Sequence, residues 1–251
     1  MILGMRVHVT GGTGYLGTEL LRLRPAASAE RVEVRDAAAV AEVLERLSPD
    51  VVIHTAYRQD GPEAWAVTVK GSTNVARAAR DVGARLLHVS TDVVFDGRKG
   101  APYVEEDPPC PCTEYGVAKA AAEQHVAEAH PAALIVRTSL VVGGPGLPPS
   151  RHELLASSPD VTFYEDEIRS VVQVTDLAGA LLELAAADVT GILHVAGPEH
   201  VSRAELAELV TGRPVRRGLA PAGRPLDCSL DSSRARGLLR TELRGVRTVL
   251  G

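Results

Sequence analysis

The chain has 251 residues, 45% of them hydrophobic, and a formal net charge of −5. That length accommodates one large α/β domain with a small appended lobe, and a charge of that sign without a basic run points away from nucleic acid and anionic membranes, toward a small-molecule partner. No stretch approaches the roughly 20 apolar residues of a membrane span and the N-terminus runs straight into a strand, so the expected location is cytoplasmic.

Residues 7–17, VHVTGGTGYLG, read as a buried strand, a glycine turn and the start of a helix. Glycines spaced by three can turn the backbone tightly, admit a diphosphate and pack helix against strand, with the phosphates on the helix N-terminus. A plain strand-to-helix turn also uses glycine, but the preceding strand favours a dinucleotide site comprising Gly11, Gly14, Tyr15, Leu16 and Gly17. The helical period over 15–23 stops at Pro25. Residues 31–35 alternate like a strand, a helix follows over 37–47, and Pro49-Asp50 opens the apolar run 51–56. A helix over 63–81 precedes a strand at 85–90 whose end, Ser90-Thr91-Asp92, is polar. Alternating strands and helices imply a parallel sheet, and ligands of such sheets lie outside the carboxyl ends of the strands.

Residues 93–112, rich in Gly, Pro and acidic residues, suggest a long functional loop over the site. Thr113 can cap a helix carrying Tyr115, Lys119, Ala122 and Val126. The strand at 133–139 leads into a Gly/Pro break at 143–149, where a small lobe begins. Residues 171–174 read as a strand, Thr175-Asp176 as the cap of a helix over 177–186, and 191–196 as a strand returning to the main sheet. A helix over 202–210, the segment 224–231 and a last short helix complete the chain. The expected fold is thus an α/β, Rossmann-type doubly wound parallel sheet formed by 1–142 with 176–196, plus a small C-terminal substrate-binding lobe from 143–175 and 197–251.

Tyr115 and Lys119, four apart on a helix, share a face. A tyrosine hydroxyl, with an ordinary pKa of about 10, becomes an effective acid and base near neutrality when an ammonium and a cationic nicotinamide favour its phenolate. Such a pair also occurs on helix surfaces by chance. The chain, however, has only three lysines, Lys70, Lys99 and Lys119, and uses arginine elsewhere, so a lysine here points to a need for a compact, titratable charge. Thr91 can add a hydroxyl that bonds a substrate carbonyl.

These features together resemble the extended short-chain dehydrogenases/reductases and, within them, the dTDP-4-dehydrorhamnose reductase family. The glycine turn, Ser90-Thr91-Asp92-Val93-Val94-Phe95-Asp96-Gly97, Tyr115-Gly116-Val117-Ala118-Lys119, Arg137-Thr138-Ser139, Val174-Thr175-Asp176-Leu177-Ala178 and Arg224-Pro225-Leu226-Asp227 match family landmarks in order, and Pro49 to Tyr57 resembles its PDVVINAAAY strand. The resemblance implies reduction of a nucleotide-linked 4-keto-6-deoxy sugar by NADPH or NADH, with Tyr115 as general acid, Lys119 holding the nicotinamide ribose and Thr91 orienting the keto group. It further implies cofactor contacts at Thr55, Ala56, Tyr57 and Ser90, and substrate contacts at Thr91, Asp92, Val93 and Arg169. Related readings are an epimerase or another keto-sugar reductase, and, in a different class, a non-catalytic nucleotide-binding regulatory subunit; a homo-oligomer is possible.

Two departures stand out. The chain between the first helix and Pro49 is about ten residues shorter than the superfamily pattern, so the strand that meets the adenosine ribose is shortened or absent; Asp36 either reaches adenine or caps the next helix. Thr68 stands where the superfamily has Asn. No metal is expected: His54, His88 and His194 sit singly in strands and read as core or strand-end residues. Cys110, Cys112 and Cys228 form no C-x-x-C pair and read as free thiols. Residues 165–170 read as a solvated loop apart from Arg169, and Trp65 as packing its helix onto the sheet.

Overall fold

The computed structural model describes residues 4–251. Strand β1 (Val7–Thr10) runs through the glycine turn into helix α1 (Tyr15–Leu23). The turn is closely packed: Gly11 has φ +76° and a Cβ there would lie 2.7 Å from Thr55 Oγ1, while a Cβ on Gly17 would meet Gly11 O at 2.2 Å. Helix α2 (Ala37–Leu47), strand β2 (Val51–His54), helix α3 (Gly71–Asp81, entered through a π-helical turn at Ala66–Lys70), strand β3 (Arg85–Thr91), helix α4 (Glu114–Ala129) and strand β4 (Leu134–Thr138) continue the alternation. After them come β5 (Val141–Val142), α5 (Arg151–Ala156), β6 (Phe163–Tyr164), β7 (Ile168–Arg169), β8 (Val172–Gln173), α6 (Val174–Ala185), β9 (Gly191–His194), β10 (Val201–Ser202), α7 (Arg203–Thr211), β11 (Arg217–Gly218), α8 (Ser233–Leu238) and α9 (Val246–Leu250).

Five strands form one parallel sheet in the order β1-β2-β3-β4-β9, so residues 191–194 return to it after the excursion that follows β4. Three two-stranded ladders, β5–β8, β6–β11 and β7–β10, organise much of the remaining chain. Successive strand residues face opposite sides. Val7, Val9, Ile53, Leu87 and Val136 meet Leu20 of α1 and Leu177 and Leu181 of α6 on one face, and Val52, Leu86 and Ile135 meet Leu44, Val75 and Val126 of α2, α3 and α4 on the other. The second face is not wholly apolar: His8, Thr10, His54, His88, Ser90 and Arg137 have the parity of Val52, Leu86 and Ile135 and are all buried.

Several local expectations yield to tertiary contacts. Residues 31–35 form no strand. The edge of β1 is met instead by a bridge at Ser28, with Val9 N donating to Ser28 O at 2.8 Å and Ser28 N to Val7 O at 2.9 Å. The chain beyond it is drawn onto α3, where Asn74 Nδ2 donates to Val34 O at 3.0 Å and Arg35 O at 3.2 Å and Val34 sits over Gly71. Helix α6 begins at Val174 rather than 177, because Gln173 Oε1 caps Asp176 N at 2.9 Å while the Asp176 carboxylate binds Arg244. Trp65 is 53% exposed and does not pack on the sheet. Residues 165–170 are no solvated loop: β7 pairs with β10, and Glu167, Arg169 and Ser170 are buried. The end of the chain carries two short helices, α8 and α9, instead of one.

Asn74→Ala removes the donor that satisfies two backbone carbonyls of the 31–36 segment. It is expected to lower unfolding free energy by about 1–3 kcal/mol, read from the urea midpoint; an unchanged midpoint would show that another contact holds this segment.

Candidate active site

At the carboxyl ends of β1, β2 and β3 lies a cleft of about 630 Å³. One wall is formed by Gly14, Tyr15, Leu16 and Gly17 of the turn and α1, by Thr55 and Tyr57 after β2, by residues 90–93 and by Tyr115 and Lys119 of α4. The opposite wall comes from later in the chain and includes Arg151, His152, Glu167, Arg169, Arg203 and Arg224. Ala56 and Gly11 pack behind the turn and do not line the cleft. Asp36 lies outside it and caps α2, accepting from Ala38 N at 3.0 Å and Ala39 N at 3.1 Å, which is the structural one of its two readings. The 93–112 segment touches the cleft only through Val93. Its middle is fastened to the C-terminal segment, with Tyr103 N donating to Ser229 O and Asp231 N to Tyr103 O, both at 2.8 Å, so it is not a cover over the site.

Helix α4 starts where Thr113 Oγ1 accepts from Gly116 N at 3.1 Å. From that start Tyr115 and Lys119 project one turn apart. Lys119 is 2% exposed and its Nζ donates to Val89 O at 2.6 Å. Burial presses its pKa down to about 8, with Glu123 opposing. The Tyr57 ring lies 5.7 Å from that of Tyr115, tilted by 45°, and 6.0 Å from Lys119 Nζ. Burial raises the pKa of the Tyr115 hydroxyl, Tyr57 and Asp92 add to this, and Thr91 and Arg151 oppose it. Burial outweighs the opposing Thr91 and Arg151, and Tyr115 holds its proton at neutral pH, the state a proton donor requires.

Thr91 closes β3, and its hydroxyl donates to Asp92 Oδ1 at 3.1 Å. Asp92 accepts from Ser139 Oγ at 2.5 Å and faces Arg169 Nε at 3.6 Å, and burial raises its pKa. Ser90 turns inward to Glu123 Oε1 at 2.5 Å. Both side chains are thereby engaged in holding the end of β3. At the other end of the wall, Gly14 precedes α1 without any side-chain cap, so the first N–H groups of α1 have no capping partner. Tyr15 donates its hydroxyl to Pro148 O at 2.7 Å and joins α1 to the Gly/Pro break.

Arg169 lines the cleft, yet its guanidinium is bound to the carbonyls of Ile168, Leu226 and Pro225 and paired with Asp92. Arg151, Arg203 and Arg224 line the same wall, Arg151 bonded to Gln59 and Arg203 to His152 at 3.2 Å, and of the three only Arg224 lies in a segment quoted from the sequence. Burial, followed by Arg169, Arg224 and Arg151, lowers the pKa of Arg203 to about 10, with Glu167 opposing. Arg224 pairs with buried Glu167 and lies 5.3 Å from the Tyr164 ring. These arginines come from three separate places in the chain and share no motif; the hints were the landmark run that Arg224 opens and the preference for arginine over lysine.

Thr68 braces the loop after β2: its hydroxyl donates to Arg58 O at 2.9 Å and accepts from Arg58 N at 3.2 Å. His54 is buried between Thr10 Oγ1 at 2.5 Å and Ser72 Oγ at 3.0 Å and stacks on His88, with burial pressing its pKa down to about 3. Among the described residues no group of three or more His, Cys, Asp or Glu is gathered to hold a metal, and no helix is long and apolar enough to cross a membrane. Cys110, Cys112 and Cys228 are free thiols.

The family model for the RmlD substrate binding domain matches residues 5–250. The chain is 39% identical over 220 residues to the dTDP-4-dehydrorhamnose reductase of Mycobacterium tuberculosis, covering 79% of this chain and 72% of that one. It is 33% identical to the enzyme of the same name from Mycolicibacterium smegmatis, covering 99% of this chain and 85% of that one. Among solved structures, dTDP-4-dehydrorhamnose reductase from Bacillus anthracis in complex with NADP matches with a TM-score of 0.84 and 27% identity, over 98% of this chain and 97% of that one. In sequence over nearly its whole length, and in its parallel sheet flanked by helices, the chain belongs to the dTDP-4-dehydrorhamnose reductase family of NAD(P)-dependent oxidoreductases.

Proposed function

We propose that this protein reduces the 4-keto group of dTDP-4-dehydrorhamnose with NADPH or NADH. The observation that carries the reading is the meeting, in one cleft, of Thr91, protonated Tyr115 and buried Lys119 with the uncapped N-terminus of α1 and a wall of arginines. The cofactor fits that arrangement on structural grounds: Gly14 and Gly17 present backbone without bulk where α1 begins, and free N–H groups at a helix start favour a diphosphate. Thr55 and Tyr57 would flank it, and Lys119, with N–H groups beyond the one given to Val89 O, would hold the nicotinamide ribose. When bound, the nicotinamide supplies the hydride.

The chain's own residues do the rest. Thr91 orients the keto oxygen by turning its one hydroxyl proton from Asp92 Oδ1 to that oxygen, and Tyr115 delivers the proton to it as charge develops. Lys119 stabilises the tyrosinate left behind, then the proton returns from solvent. Asp92 braces Thr91 and joins it to Ser139 and Arg169. Arg151, Arg203 and Arg224, on the opposite wall, suit the diphosphate of the sugar nucleotide because guanidinium groups bind phosphate oxygens in pairs. Residues 143–175 and 197–251 serve in this reading as the substrate-binding lobe, with α6 and β9 belonging to the sheet layer.

The test follows nicotinamide absorbance with purified protein, NADPH or NADH and dTDP-4-dehydrorhamnose. Turnover is expected, and Tyr115→Phe is expected to lower it by about 10²-fold or more while keeping cofactor affinity. Absence of turnover together with tight cofactor binding would assign the chain to a nucleotide-binding regulatory role. In a separate measurement, Gly14→Val places a branched side chain at the phosphate approach and is expected to weaken cofactor binding in calorimetry far more than it lowers the unfolding midpoint; an unchanged affinity would put the diphosphate elsewhere.

A further inference from the structure

Tyr115, Lys119 and Glu123 recur every four residues along α4 and so form one stripe, two of whose members line the cleft while the third lies beneath it. Glu123 is 4% exposed and belongs to a buried network. Its Oε1 accepts from Ser90 Oγ at 2.5 Å, and Arg137, which is fully buried on β4, donates to both of its oxygens, with Nη2 to Oε2 at 2.8 Å. Ser90 stands between Val89, whose carbonyl accepts from Lys119, and Thr91, which bonds Asp92 at the cleft.

We propose that Glu123 is a positioning residue for the reaction: through Ser90 it ties the helix bearing Tyr115 and Lys119 to the end of the strand bearing Thr91, and it supplies the negative charge that keeps the buried Lys119 an ammonium. This rests on the function proposed above. The groups facing Lys119 are His54 on β2, His88 on β3, the ring of Tyr57 after β2, and Tyr115 and Glu123 on its own helix. Both histidines are held neutral by burial and are themselves opposed by the lysine charge. Glu123 is the acidic group that favours the ammonium. Arg137 secures the carboxylate from the far side, and because it pairs with both oxygens a lost Glu123 charge leaves a guanidinium unmatched.

The measurement is direct because the chain has three lysines, Lys70, Lys99 and Lys119. Protein carrying ¹³C at lysine Cε is titrated by NMR, and Lys119→Met assigns the signal. The parent midpoint is expected near 8. Glu123→Gln is expected to lower it by about one unit, and Glu123→Asp, which keeps the charge, to hold it close to the parent. Glu123→Gln with Arg137→Met leaves no buried charge unmatched and serves if the single variant does not fold; a smaller downward shift is expected, because the more distant Arg137 cation, which disfavours the ammonium, is removed with the carboxylate. In turnover assays the alkaline limb should move with the NMR midpoint in each variant, a change that a merely structural residue would not cause. A parent midpoint at the ordinary lysine value, or a folded uncharged variant with an unmoved midpoint, overturns the proposal. A parent without turnover removes the reductase reading and leaves the NMR result to decide the role of Glu123.

Discussion

An ammonium buried beneath the carboxyl end of a parallel sheet is the constraint on which the cleft depends. A charge 2% exposed is tolerated only with close acceptors and a compensating charge, and here these are the Val89 carbonyl and the Glu123 carboxylate behind it. Meeting both requires α4 to lie very near β3. Its sequence allows this: Gly116 has no room for a Cβ, which would meet Val93 O at 2.2 Å, and Ala118 and Ala122 are small on the buried side. The polar residues on that face of the sheet, Ser90 and Arg137 among them, are the counterpart of the charged stripe on the helix.

The same geometry gives the two walls of the cleft different electrostatic characters. The wall built from the sheet and α4 carries few charges, each buried and matched, so burial shifts its groups strongly: Tyr115 upward, Lys119 downward, His54 far downward. The opposite wall gathers arginines close enough to depress one another, as Arg203 shows. A chain of net charge −5 thus places a concentrated positive surface inside its cleft. Arginine suits this role because it stays charged where a buried lysine titrates near neutrality. The many exposed ion pairs elsewhere, such as Arg6 with Asp50, add little stability by comparison.

The alternation of strands and helices, the glycine turn, the helix carrying Tyr115 and Lys119 and the polar end of β3 were legible in the sequence because each is written in neighbouring residues. Apolar runs of fixed period mark strands, glycine spacing marks a tight turn, and a four-residue spacing fixes a shared helix face whatever the rest of the chain does. The strand read at residues 31–35 was lost because alternation is only a local preference, and Asn74 and Gly71, some 40 residues on, offered its backbone and Val34 better partners than an edge of the sheet. Helix α6 started early for a similar reason, once Arg244 had claimed the Asp176 carboxylate.

What only the tertiary structure decided is which polar groups face the cleft and in what state. Arg169 was readable as a charge but not as one bound by the carbonyls of Pro225 and Leu226, more than 50 residues on, nor were Arg151, Arg203 and Arg224 readable as a single wall. The spacing of Tyr115 and Lys119 was set by the sequence alone, whereas the proton on Tyr115 and the charge on Lys119 follow from how deeply the fold buries them and from Glu123 and Asp92 nearby. Helical periodicity is a property of neighbouring residues; desolvation and long-range charge belong to the packed whole.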